Sequence, residues 1–184
     1  MFSHIPKHAS EALVVVDYQK DFVCGALGFD GAEKLDDGIC AEIERVRAAH
    51  GDVIFTFDTH AETPDAYLAS AEGKALPVPH CLRTSAGHDL YGKTAEAAKP
   101  QDVRVFKPSF GSPMLAEILQ KRGYTKITFV GLVSHICVIS NAMLAKAFCP
   151  EAEICVIAAL TAAADENLHK AALDVMRSVQ IHVL

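Results

Sequence analysis

The sequence predicts an α/β protein in three layers, with a mainly parallel sheet between two sets of helices, and three observations carry that expectation. Short runs rich in Val and Ile alternate with stretches of helical period, the pattern left by strand and helix units that succeed one another. The chain has 184 residues, 51% hydrophobic and 22% charged, which suffices for one core without disulfide or metal staples. No internal repeat, linker or low-complexity segment interrupts the alternation, so one domain over residues 1–184 is expected.

The elements follow in order. Ala12 to Val16 is the first apolar run and the first strand. A helix is expected from about Asp37 to His50, with Ile39, Ile43 and Val46 on one face and Gly51 as its C-terminal stop. Val53 to Phe57 is the second strand, and Val103 to Phe106 the third, separated by a loop from Thr59 to Asp102 rich in Pro, Gly and His. A connection that long is uncommon in a compact domain unless it carries function, so it is expected to build part of a site. Pro113 to Arg122 reads as a helix opened by proline and closed by Gly123. Ile127 to Val130 is the fourth strand; a helix near Cys137 to Phe148, a strand at Ile154 to Ile157, a helix near Glu166 to Ser178 and a last strand at Ile181 to Val183 complete the chain.

Composition narrows the partners. A formal net charge of -6 argues against nucleic acid, which is held by clustered Lys and Arg. The first ten residues, MFSHIPKHAS, hold no apolar run of signal-peptide length, and no stretch reaches the roughly 20 apolar residues of a membrane span. A cytoplasmic protein with no nucleic-acid or membrane partner is expected. Six cysteines, Cys24, Cys40, Cys81, Cys137, Cys149 and Cys155, form no C-x-x-C pair, so neither a zinc ribbon nor a disulfide framework is expected, and most read as small buried hydrophobes.

In open α/β sheets, sites lie beyond the carboxyl ends of the strands. Asp17, Asp58, Lys107 and Cys137 fall there. Each has an ordinary reading alone: a cap for Asp17, a solvated cation for Lys107, a core thiol for Cys137. Together they make a device for amide hydrolysis. The lysine and a helix N-terminus favour the thiolate, the aspartate takes a proton and later delivers it to a leaving amine, and the turn before Cys137 can offer N–H donors to an oxyanion. Asp58 and His60, two apart on an extended segment, point the same way, and His80 in PVPHC can close a metal site from the long loop. Zn, Fe or Mn suits such oxygen and nitrogen ligands; the alternative is a hydrogen-bonded surface His pair.

Five segments then occur in a telling order: VVVDYQKDF (14–22), FDTH (57–60), PVPHC (77–81), FKPSFGS (106–112) and GLVSHICV (131–138). On these the chain resembles the nicotinamidase/isochorismatase-like cysteine hydrolases, in particular the metal-binding nicotinamidases, along almost its whole length. The resemblance implies a six-stranded sheet of order 3-2-1-4-5-6, a catalytic set of Asp17, Lys107 and Cys137, and one divalent metal ion, zinc first, on Asp58, His60 and His80. It also implies a cis peptide between Leu132 and Val133 that turns the N–H groups of Val133 and Cys137 toward an oxyanion. Glu72 resembles an extra carboxylate ligand of some members, and Phe22 an aromatic set against the substrate ring. Nicotinamidases of this type use the metal to hold the pyridine nitrogen, which implies deamidation of nicotinamide to nicotinate and ammonia through a thioester on Cys137; the resemblance thus implies a small-molecule amide as partner and a homo-oligomer as assembly.

The sequence also departs from that pattern. It has no Trp, and Leu76 and Pro77 occupy the region where many nicotinamidases carry one before the third metal ligand. His135 and Ser134 replace a usual Asp and Thr before the cysteine, and Tyr67 stands where some members place another His. Other small amides or carbamoyl compounds, and a noncatalytic binding module on the same fold, therefore stay open beside nicotinamide. Cys137 itself weighs against an isochorismatase proper, whose vinyl-ether hydrolysis needs no thiol.

Overall fold

A computed structural model describes residues 9–184. The reading of MFSHIPKHAS falls largely on residues 1–8, outside the described residues. Six strands, β1 (Glu11–Val16), β2 (Asp52–Asp58), β3 (Val103–Lys107), β4 (Lys126–Leu132), β5 (Glu153–Ala162) and β6 (His182–Val183), form one sheet of order β3-β2-β1-β4-β5-β6. Every neighbouring pair is parallel. The order reverses at β1, which lies between β2 and β4, so the ends of those strands meet at the topological switch point.

The helices are α1 (Lys20–Val23), α2 (Asp36–Ala48), α3 (Pro64–Ala69), α4 (Ala71–Ala75), α5 (Gly92–Ala97), α6 (Pro113–Arg122), α7 (Ile139–Phe148) and α8 (Glu166–Ser178). Alternation along β1 builds two cores. Ala12, Val14 and Val16 face Leu115, Leu119, Ala142 and Met176 of α6, α7 and α8, whereas Leu13 and Val15 face Ile39, Ile43 and Val46 of α2. A strand buried on both faces must read as a continuous apolar run, and LVVV does. Among the described residues no helix is long and apolar enough to cross a membrane.

Several expectations change. α2 ends at Ala48, and the left-handed residue that closes it is His50, φ 60, not Gly51. The loop from Thr59 to Asp102 is not structureless: it carries α3, α4, a short helical turn at Ala86–His88 and α5. β5 runs on to Ala162, past the expected Ile157, after a register shift against β4. All six cysteines are free, but only Cys81, Cys137 and Cys155 are buried; Cys24 is exposed.

Candidate active site

Three strand ends and one turn deliver the site. Asp17 follows β1 with φ 45, a left-handed conformation that costs a non-glycine residue energy. β4 passes so close that a Cβ on Gly131 would strike the Val16 carbonyl, so only glycine lets the two strands converge beneath Asp17. The Asp17 carboxylate is fully buried. Thr56 of β2 donates its hydroxyl hydrogen to Oδ1 at 2.6 Å. Lys107, the last residue of β3, sets its ammonium 2.6 Å from Oδ2 as an ion pair. The same Nζ lies 3.5 Å from the Cys137 sulfur and donates to the Ser109 carbonyl at 3.0 Å. Asp17, Lys107 and Cys137 thus meet around one buried ammonium.

Cys137 sits inside a wide helical turn, Ser134–Val138, that leads into α7. Ile136 and Val138 both donate to the Val133 carbonyl, at 3.1 and 3.2 Å. The Leu132–Val133 peptide is cis. The Val133 N–H has no partner among the described residues. Asn141, which sequence reasoning missed, fixes this turn: its amide donates to the Cys137 carbonyl at 2.8 Å and the Phe110 carbonyl at 3.0 Å, and accepts from the Ser112 N–H at 3.0 Å.

Burial dominates the electrostatics. It raises the Asp17 carboxyl above its ordinary value, with Lys107 pulling back. It works against the Lys107 charge, but Asp17, Cys137 and Asp58 outweigh it and hold the ammonium protonated. Burial, then the Asp17 charge, push the Cys137 thiol well above its ordinary value, with only Lys107 opposing in part. Burial of the sulfur within the turn, together with the Asp17 charge, therefore opposes the thiolate that the lysine favours.

A second cluster adjoins the first. Asp58 ends β2; His60, Glu72 on α4 and His80 come from the long connection. Asp58 Oδ2 lies 2.8 Å from His60 Nε2 and 3.3 Å from His80 Nε2, and Glu72 Oε1 lies 3.6 and 3.9 Å from the same two nitrogens. Ligands at about 2.1 Å around a tetrahedral ion stand about 3.4 Å apart, so these spacings fit a metal after small adjustments. The donor chemistry fits as well. His80 Nδ1 must donate to the Val78 carbonyl at 2.8 Å, so Nε2 is the nitrogen turned to the cluster, and it would ligate a metal on giving up the proton it shares with Asp58. Burial works to raise Asp58, but hydrogen bonds from His60 and His80, and then the Lys107 charge, hold it well below the usual carboxylate range. Its other oxygen, Oδ1, lies 3.5 Å from Lys107 Nζ, so one carboxylate joins the two clusters.

Tyr67, in the place of a histidine, supplies no ligand; its ring packs edge-on against His60 and His80 at 5.1 and 5.3 Å, and its hydroxyl donates to the Leu76 carbonyl. A cleft of about 800 Å³ opens over the cluster, lined by His60, Glu72, Leu76, Arg83, Ser109 and Phe110 among others. Phe22 is not among its walls: that ring is buried and packs against His80 at 5.6 Å. Cys137 is 4% exposed and lies behind the cleft, linked to its wall by the Lys107 contact with Ser109.

The backbone is similar to a pyrazinamidase of Pyrococcus horikoshii in complex with zinc, with a TM-score of 0.81, 22% identity, and 95% of this chain and 98% of that one covered. It is equally similar to a nicotinamidase of Bacillus subtilis, TM-score 0.82 at 22% identity with 95% and 98% covered. A secreted isochorismatase effector of Verticillium dahliae is 30% identical over 131 residues, 71% of this chain, and the match spans 62% of that protein's length. The isochorismatase domain model matches residues 11–184, from the first residue of β1 to the C-terminal leucine, and on that match the chain belongs to the isochorismatase family.

Proposed function

We propose that the chain is a metal-assisted cysteine amidohydrolase that deamidates nicotinamide to nicotinate and ammonia, with Cys137 as nucleophile. The observation that carries this reading is the approach of the Cys137 sulfur, the Asp17 carboxylate and the Asp58 ligand cluster to a single buried ammonium, that of Lys107.

Asp17 Oδ2 takes the thiol proton as the sulfur attacks the carboxamide carbon, forming the C–S bond. The oxyanion accepts from the Val133 and Cys137 N–H groups. Asp17 then passes its proton to the nitrogen as the C–N bond breaks, which releases ammonia and leaves a thioester on Cys137. Water attacks that thioester, Asp17 takes one of its protons, and the departing sulfur recovers it as the acid leaves; the second proton passes from the acid to ammonia in solution, giving nicotinate and ammonium. Lys107 stays charged throughout and stabilises whichever of its two neighbours is negative. A divalent metal on Asp58, His60 and His80, with Glu72 as a fourth donor, would supply a Lewis-acidic anchor for the ring nitrogen, zinc being proposed ahead of iron or manganese. Leu76 and Phe110 provide apolar walls in the absence of tryptophan.

The cleft volume favours one second reading. About 800 Å³ is generous for a single-ring amide, so a larger amide or carbamoyl compound can be taken by the same chemistry. Ammonia release from nicotinamide, benzamide and carbamoyl compounds, before and after chelation, decides between them. Nicotinamide is expected to be turned over and to lose its activity on chelation, with benzamide poor throughout. Equal turnover of nicotinamide and benzamide, or nicotinamide activity that survives chelation, overturns the metal-anchored reading.

A further inference from the structure

The segment that follows Asp17 touches the pieces of the second cluster that carry Asp58 and His80 without supplying a ligand. Gln19 is fully buried. Its Oε1 accepts from the Asp58 N–H at 2.8 Å and its Nε2 donates to the Asp58 carbonyl at 3.0 Å. The other Nε2 hydrogen goes to the His88 carbonyl at 2.9 Å, so both amide donors are used. A side-chain amide that spans both backbone groups of one residue acts as a short stretch of neighbouring strand. It does so beyond Val15 and Phe55, where the β1–β2 register ends.

Asp21 holds the histidine side in the same manner. Its Oδ2 accepts from the Cys81 N–H at 2.7 Å. Cys81 adopts φ 44, a left-handed conformation that needs support from its surroundings. The Cys81 carbonyl in turn accepts from the His60 N–H at 3.0 Å. One carboxylate therefore fixes the residue after His80 and, through it, the backbone of His60. A Cβ on Gly87 would overlap the Asp21 carboxylate, so the tip of the long connection closes directly over this contact.

We propose that Gln19 and Asp21 are positioning residues for metal binding: Gln19 sets Asp58, and Asp21 sets His60 and His80, relative to Asp17 at the head of the same segment. This inference rests on the reading of Asp58, His60 and His80 as metal ligands. It goes beyond that reading in placing part of the metal affinity in two residues that never touch the ion.

The test titrates the full metal-free chain with Zn²⁺ against a competing chelator, and measures iodoacetamide alkylation of Cys137 on the same samples. Asp21→Ala and Gln19→Met are each expected to weaken zinc binding by about ten- to a hundredfold, the usual cost of losing an outer hydrogen-bond partner. Asp21→Asn, whose amide oxygen still accepts from Cys81, is expected to stay within about threefold of the native chain. Alkylation should stay within about twofold in all three, since the Asn141-locked turn that holds the thiol is untouched. If Asp21→Ala does not fold, Gln19→Met against Asp21→Asn gives the same contrast. Native-like zinc affinity in Gln19→Met and Asp21→Ala overturns the inference alone. So does an equal loss in Asp21→Asn, or a zinc loss matched by the alkylation rate. A native chain that takes up no zinc overturns it together with the reading beneath it.

Discussion

The two clusters are built from different material. Asp17 and Lys107 are strand-end residues and Cys137 sits in a turn locked by Asn141, so the trio is held by the sheet and is almost wholly buried. In the second cluster only Asp58 is a strand residue, while His60, Glu72 and His80 arrive on the connection between β2 and β3. The first is fixed by strand ends and one Asn141-locked turn, the second largely by side-chain contacts that tie a loop down. Chemistry that tolerates little displacement is thus placed on the rigid part, and the proposed anchor on the part with more freedom to adjust. The two meet at Asp58 and Lys107, which are paired across β2 and β3 and whose side chains stand 3.5 Å apart.

If that division holds, variants should separate the two. Cys137→Ala is expected to lower turnover by at least about a thousandfold, while costing only about 1 kcal/mol of stability by urea unfolding, because one sulfur is removed from a small core position. More than a few per cent of native turnover would break the assignment. Next come Lys107→Ala and Asp17→Asn, each expected to reduce kcat/KM by about a hundredfold or more, with the double variant far short of the product. Lys107→Ala should also cost about 3–5 kcal/mol, since it strands the buried Asp17 charge, and adding Asp17→Asn should restore part of that loss. Fully multiplicative kinetics would show that the residues do not act as a unit.

The second cluster should answer differently. His60→Ala and His80→Ala are expected to abolish metal uptake and raise KM for nicotinamide steeply, with Cys137 still open to alkylation. Metal analysis alongside thiol labelling checks this, and a loss of labelling would merge the clusters. Glu72→Ala should have a smaller effect, about tenfold or less on metal affinity, because its oxygen is the most distant donor and the least buried of the four. Phe110→Ala, on the exposed wall, should raise KM only severalfold through lost apolar contact; an unchanged KM would place the substrate elsewhere in the cleft.

The same contrast explains what the sequence made legible. LVVV, VIFTF and ITFV announce strands because they are buried on both faces, and the residues after them are where such sheets keep their sites. α6 and α8 were readable to their ends: α6 is opened by Ser112 and Pro113 and closed by Gly123, and α8 is capped by Asp165. The end of β5 was not, since three of the five residues from Ala158 to Ala162 are alanine, which carries little strand propensity, and the stretch pairs only after a bulge. α3, α4 and α5 have five or six residues each, too few for a helical period to emerge. Glu72 was legible only by resemblance. Gln19 was not legible as a support, because its partners lie 39 and 69 residues away and nothing local marks them.

Hydroxylamine added during turnover of nicotinamide intercepts the proposed thioester on Cys137. An acyl-thioester divides between water and hydroxylamine, so the native chain should yield nicotinohydroxamate in proportion to hydroxylamine while nicotinate falls and ammonia release continues. Cys137→Ala should yield neither product. Ammonia and nicotinate formed without any hydroxamate at high hydroxylamine would mean that water attacks the amide directly, and would contradict the assignment of Cys137 as the nucleophile.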